Sequence, residues 1–325
     1  MDARLPNPEE PLQMSHQQRT IALGTLAFGT TVDEKTSFDI LDRFTELGGT
    51  TLDTANNYAF WVDGATGDES EVVIGKWLAS RGSRDAVRIG TKAGARPAVP
   101  GAGLEAAEGL SAKALRSALE HSLRRLGTDR VEVYWAHIED RTVPLDETVH
   151  ALADLVEEGK AGELGVSNHA VWRTERARAL AGDRPRYTHL QYRYSYLQPR
   201  FDLPLPSSAH VHVTPELLDY VRSEPDLRLW AYSPLLSGGY TREDVPVPSA
   251  YDHPGTAPRL AVLREVADEL DVTVNQVVLA WLLDHDPQVV PIVGVSRVSQ
   301  VEEALEALAV TLSAEQRRRL DEAGR

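Results

Sequence analysis

Eight strand-like runs, with a helix-like stretch between most of them, recur along the whole chain, and this alternation limits the folds open to it. The runs are IALGTLAFG (21–29), GTTLDTA (49–55), VRIGTKAG (87–94), VEVYWAHI (131–138), GELGVSN (162–168), YTHLQY (187–192), LRLWAYSP (227–234) and QVVPIVGVS (288–296). Between them apolar residues fall at helical spacing. In TSFDILDRFTELGG (36–49), Phe38, Ile40, Leu41, Phe44 and Leu47 share a face ahead of a Gly48-Gly49 stop. Two helical patterns separate the seventh and eighth runs, and a last helix, VSQVEEALEALA (298–309), follows the eighth. At 325 residues the chain could hold two domains of ~150 residues. No shift of composition divides it, so the pattern predicts one (β/α)8 TIM barrel over residues 19–325 behind a polar tail at 1–18. A two-domain Rossmann arrangement is the disfavoured alternative. Three long loops, 94–110, 198–213 and 234–258, follow strand ends and would crowd the C-terminal face, where barrel enzymes do their chemistry.

Alternate side chains of a strand point into a barrel. Asp53, Lys92 and His137 fall on parities that would bring them together at the upper rim of strands two, three and four, and Tyr58 follows Asp53 on the next loop. Lysine is scarce here. Of 34 basic residues only Lys35, Lys76, Lys92, Lys113 and Lys160 are lysine. A lysine inside an apolar strand suggests that its compact charge or adjustable pKa matters, and a buried ammonium needs a partner, for which Asp53 is the obvious choice. The expected scheme has Asp53 fixing Lys92 as ammonium and Lys92 lowering the Tyr58 hydroxyl from its usual ~10. Tyr58 then gives a proton to a carbonyl oxygen that a neutral His137 orients. Each residue has a structural alternative: a turn cap for Asp53, packing on Trp61 for Tyr58, an ion pair for Lys92, a backbone-bonded core imidazole for His137. Their convergence favours the chemical reading.

The formal charge of −15 argues against nucleic-acid or anionic-membrane partners, which need a basic field. It also means that any polyanionic ligand must find local cations. The absence of cysteine removes disulfides, thiolate metal sites and cysteine nucleophiles. The polar N-terminal stretch reads as no signal peptide, and no apolar run reaches the ~20 residues of a membrane span, so a cytoplasmic protein is expected. The Gly101, Gly103, Ala106 pattern follows no strand and reads as a loop rather than a dinucleotide fingerprint. His210 and His212 lack further ligands at metal spacing and read as loop histidines; no metal is expected.

With these motifs in place, the chain resembles the aldo-keto reductase family from about Ala22 to the last helix. LDTANNY carries Asp53 and Tyr58, GTKAG carries Lys92 and YWAHIED carries His137. The resemblance implies NADPH/NADP+ as cofactor and a small-molecule aldehyde or ketone as substrate. It implies that GTLAFG sets Gly24, Thr25 and Leu26 beneath the cofactor. Ser167, Asn168 and Gln191 would hold the nicotinamide carboxamide, with Asp53 close by. Tyr232 would stack on the ring, and Ser233, Leu235 and Gly238 would lie along the pyrophosphate. In VGVSRVSQVEEA, Ser296 and Arg297 would meet the adenosine 2′-phosphate, Gln300 and Glu303 the ribose and adenine, and Gly294 would also bind the cofactor. Ala304 departs from the family's frequent Asn, and the usual N-terminal hairpin is expected to be reduced. Phe60, Trp61 and Trp135 are expected to shape the substrate pocket, with a keto-sugar or secondary-metabolite carbonyl as the substrate. Two other functions fit less well: an NADPH-binding regulatory subunit with little turnover, and an aldolase using Lys92 as a Schiff-base nucleophile.

Overall fold

The computed structural model describes residues 19–99, 101–203, 205, 209–242 and 244–324. The expected tail at 1–18, and most of the stretch bearing on the N-terminal hairpin, lie outside them. Eight parallel strands, β1 (Ala22–Gly24), β2 (Thr51–Asp53), β3 (Arg88–Ala93), β4 (Val131–Ala136), β5 (Ala161–Ser167), β6 (Tyr187–Arg193), β7 (Arg228–Tyr232) and β8 (Val289–Gly294), form a closed barrel in sequence order. β1 pairs with both β2 and β8, which closes the ring.

Among the described residues, six α-helices connect the strands from β1 to β7, one after each of the first six: α1 (Glu34–Glu46), α2 (Glu69–Arg81), α3 (Ala112–Leu126), α4 (Leu145–Glu157), α5 (Val171–Ala181) and α6 (Pro215–Ser223). α7 (Thr256–Leu270) and α8 (Val274–Leu283) precede β8, and α9 (Val298–Glu306) and α10 (Ala314–Glu322) follow it. Local signals set several ends. The Asp33 side chain accepts the Thr36 amide at the start of α1, whose buried face is Ser37, Ile40, Leu41 and Phe44. Thr214 caps α6, which has a proline in its first turn. α10 extends the chain beyond the last helix expected from sequence. It buries only Leu320, so its apolar period is faint, but its Ser313–Gln316 capping box is readable in the sequence.

The apolar interior has two parts. The larger fills the space between strands and helices. The smaller, Ala22, Val133, Trp135, Trp230 and Ile292, lies inside the barrel. This overturns the place expected for Trp135. The residue is fully buried in the barrel interior, 5.4 Å and near-perpendicular to Trp230, not at a substrate rim. Its indole fits because two inward positions carry no side chain: a Cβ at Gly90 would come within 2.8 Å of Trp135 Nε1, and one at Gly165 would overlap the indole carbons. The Trp layer forms a floor under the polar rim. Below it Arg88 Nη2 donates to Glu163 Oε2 at 2.9 Å, and His189 Nδ1 accepts from Trp230 Nε1 at 2.9 Å.

Candidate active site

Strand register delivers the four expected side chains to one place. Asp53 ends β2 opposite Gly90, and Lys92 lies one inward step further along β3, opposite Trp135. His137 follows β4 and continues its pairing, since its amide donates to Ala93 O at 2.9 Å. Lys92 and Asp53 are buried, at 0% and 2% exposed. Lys92 Nζ donates to Asp53 Oδ2 at 2.7 Å, to Thr54 O at 2.8 Å and to Tyr58 OH at 2.6 Å. Those bonds use all three ammonium protons. Tyr58 OH donates to Asp53 Oδ2 at 2.7 Å, and Gln191 Nε2 donates to Asp53 Oδ1 at 2.9 Å. The carboxylate therefore has a partner on each oxygen. The Tyr58 and His137 rings stand edge to face, 6.1 Å apart.

The electrostatics differ from the sequence expectation in one respect. Burial, reinforced by the negative charge and hydrogen bond at Asp53, pushes the Tyr58 hydroxyl well above its usual value. In this state the phenol is therefore loaded with its proton, not acidified by Lys92. Burial also draws Lys92 below its ordinary value, against the pull of Asp53. His137 is pushed well below the usual imidazole range by burial, by Lys92 and by His210, so it is neutral at pH 7. Its Nδ1 is buried without a hydrogen-bond partner among the described residues.

A second polar group adjoins this one. Asn168, in a left-handed conformation (φ 57°), donates from Nδ2 to Ser167 Oγ at 3.0 Å and to His137 O at 3.3 Å. Its Oδ1 accepts from Tyr232 OH at 2.8 Å and from the Val211 amide at 3.0 Å. Ser167 Oγ donates to Gln191 O at 2.9 Å. Thr25 is buried, with Oγ1 donating to Asp53 O at 3.0 Å, while Leu26 beside it is 43% exposed. Beyond β7, Ser233, Leu236 and Ser237 adopt positive φ without being glycine, a cluster of strain of the kind found where backbone approaches a ligand. Leu235 and Gly238 lie in the same turn.

At the far end, Gly294, Ser296 and Arg297 are exposed. Arg297 is the N-cap of α9 but makes no side-chain cap, which leaves that helix N-terminus open to an anion. Gln300 Oε1 accepts from the Ser296 amide at 2.8 Å. Glu303 Oε1 is already bonded to Thr273 Oγ1 at 2.7 Å, a bond it must share or give up to meet a ligand, and Ala304 is buried. Of the expected pocket residues, Trp61 is 60% exposed and packs edge to face on Phe60 at 5.2 Å.

Sequence reasoning missed two residues. His210, taken as a loop histidine, packs 5.3 Å from the Tyr232 ring, while His212 turns to the Tyr251 hydroxyl. Arg193, at the inward end of β6, is 6% exposed. Its signal was its parity with Gln191 in LQYRYS.

A closed parallel barrel that gathers carboxylate, ammonium, phenol and imidazole at its C-terminal rim defines an α/β-barrel oxidoreductase. The comparisons agree: the model of the Aldo/keto reductase family matches residues 20–325, and the chain belongs to that family. It is 33% identical to the uncharacterized oxidoreductase YrpG of Bacillus subtilis over 313 residues, covering 93% of this chain and 91% of that one. It is 30% identical to the norsolorinic acid reductase stcV of Emericella nidulans over 315 residues, covering 91% of this chain and 76% of that one. Among solved structures, an aldo-keto reductase from Klebsiella pneumoniae in complex with NADPH superposes with a TM-score of 0.69 at 26% identity, covering 93% of this chain and 89% of that one.

Proposed function

We propose that this chain catalyses the NADPH-dependent reduction of an aldehyde or ketone to an alcohol, with Tyr58 as general acid. The observation that carries this reading is the buried triangle in which Lys92 Nζ stands 2.6 Å from Tyr58 OH and 2.7 Å from Asp53 Oδ2. The raised proton affinity of Tyr58 supports it, because a general acid must hold its proton until the transition state needs it. A carbonyl oxygen becoming an alkoxide is a stronger base than a phenolate, so the transfer needs no depressed phenol. The Lys92 ammonium stabilises the phenolate left behind. Neutral His137 orients the carbonyl oxygen.

NADPH, when bound, supplies the hydride. The residues present fit it. Ser167, Asn168 and Gln191 offer the amide and hydroxyl groups a carboxamide needs, and Tyr232 offers a ring face. Ser233, Leu235 and Gly238 would lie along the pyrophosphate, and Gly24, Thr25 and Leu26 would lie beneath the cofactor. Gly294, Ser296, Arg297 and the uncapped start of α9 suit the 2′-phosphate, and Gln300 and Glu303 suit the ribose and adenine. The adjacent buried Ala304 adds no polar contact. Phe60 and Trp61 would shape the pocket for a small carbonyl substrate, a keto-sugar or secondary-metabolite carbonyl.

The Schiff-base reading is weaker, since Lys92 is buried with every N–H already given to an acceptor. The test is NADPH oxidation against a panel of aldehydes, ketones and keto-sugars. Turnover is expected, and Tyr58→Phe should lower it about a hundredfold to ten-thousandfold while NADPH binding persists. Undiminished turnover by that variant overturns the acid assignment. Binding of NADPH without oxidation by any carbonyl favours the regulatory-subunit reading.

A further inference from the structure

Among the described residues, Arg193 is a buried cation without a carboxylate partner. Its Nε donates to Tyr251 OH at 3.0 Å, its Nη1 to Ser233 Oγ at 3.3 Å, and its guanidinium lies 5.8 Å from the Tyr251 ring centre. No ion pair joins it among the described residues. By contrast Arg178, equally buried, is held by Glu224 and Asp226. His210 and His212 nearby are lowered to about 4 by burial and by Arg193, so they are neutral at pH 7 and add no counter-charge. A buried guanidinium whose bonds all go to neutral groups has a charge left to satisfy. Its forked N–H groups suit phosphate oxygens above other acceptors.

Position says which anion. Arg193 stands opposite Tyr232 in the β6–β7 register and donates to Ser233, where positive-φ residues follow β7. We infer that Arg193 is a cofactor-binding residue that neutralises the diphosphate bridge of the dinucleotide. This rests on the NADPH reading above, in which Ser233 lies beside that bridge. It also answers the −15 charge of the chain: two local cations, Arg193 at the diphosphate and Arg297 at the 2′-phosphate, meet the two anionic parts of the ligand.

The division of labour is measurable by fluorescence titration with NADPH and with NADH, which share the diphosphate but differ at the 2′-position. Arg193→Met should weaken both by the same factor, about tenfold to a hundredfold, and Arg193→Lys should recover part of it. Tyr251→Phe, which removes the hydroxyl but leaves the guanidinium, should keep affinity near wild type and so controls for a merely structural role. Unchanged binding of both coenzymes to Arg193→Met overturns the inference. So does an equal loss in Tyr251→Phe, and so does a rise in KM confined to carboxylate-bearing carbonyls, which would make Arg193 a substrate anchor. Failure of the wild-type chain to bind either coenzyme would instead bring down the underlying NADPH reading, and the inference with it.

Discussion

Gln191 Nε2 reaches across the barrel from β6 to Asp53 Oδ1 on β2, a separation of 2.9 Å. The bond links the group expected to hold the nicotinamide to the carboxylate that anchors Lys92 and Tyr58. On the proposed function, Asp53 is the point at which the cofactor end and the proton-transfer end of the site would meet. Its two oxygens serve different partners, Gln191 on one and the Lys92–Tyr58 pair on the other.

Asp53→Asn keeps the shape and removes the charge. It leaves Lys92 fully buried without its counter-ion, so the fold should lose about 3 kcal/mol or more in urea unfolding at pH 7. Turnover should fall as well, because an ammonium without its partner gives up its proton. Full stability and full turnover in this variant would show that Lys92 does not depend on Asp53 for its charge.

Acid should destabilise the fold before the carboxylates titrate. Burial lowers His169, His210, His212 and His285 to about 4. Arginines add to the effect: Arg173 at His169, Arg193 at His210 and His212, and Arg317 at His285. Their unfolded values lie near 6.5. Below 6.5 the unfolded chain takes up protons that the folded chain refuses, so stability falls with pH until about 4. Each imidazole contributes at most about 1.4 kcal/mol per pH unit. Urea midpoints measured at pH 7, 6 and 5 should fall in that order. A flat profile over this range would mean that these imidazoles are protonated in the folded state.

Gly165→Ala tests the floor beneath the site. A Cβ there would overlap Trp135 Cε3, inside a layer where Trp135 already packs on Trp230 and His189. Overpacking of this kind costs about 1–3 kcal/mol. The thermal midpoint should drop, and turnover should drop with it, because Trp135 stands opposite Lys92 in the β3–β4 register.

Arg297→Met should raise the NADPH dissociation constant about tenfold or more and leave NADH binding unchanged. Parallel titrations with the two coenzymes measure this. An unchanged preference would remove Arg297 from the 2′-phosphate site.

The barrel and the four-residue cluster were readable from sequence for a simple reason. Period-2 alternation assigns Asp53, Lys92 and His137 to one side of their strands, and a closed barrel leaves only one interior for them to share. The misses are places where contact partners decide. Trp135 has the right parity for the rim, but it takes the space freed by Gly90 and Gly165 on other strands. The proton of Tyr58 goes to Asp53 while Lys92 donates to the same hydroxyl, and no spacing rule tells which of the two governs its titration. His210 and Arg193 acquire their surroundings from loops and a neighbouring strand that local periodicity does not describe. α10 carries too little apolar periodicity to stand out.

The engaged ammonium of Lys92 has an evolutionary consequence. Its niche supplies three acceptors, one for each proton. A guanidinium would bring five donors in a rigid plane and leave two of them stranded in a sealed space. Of the other 33 basic positions of this chain, 29 carry arginine, but this one has no neutral route to the same exchange. Descendants of this lineage should retain lysine at residue 92 however far their composition moves.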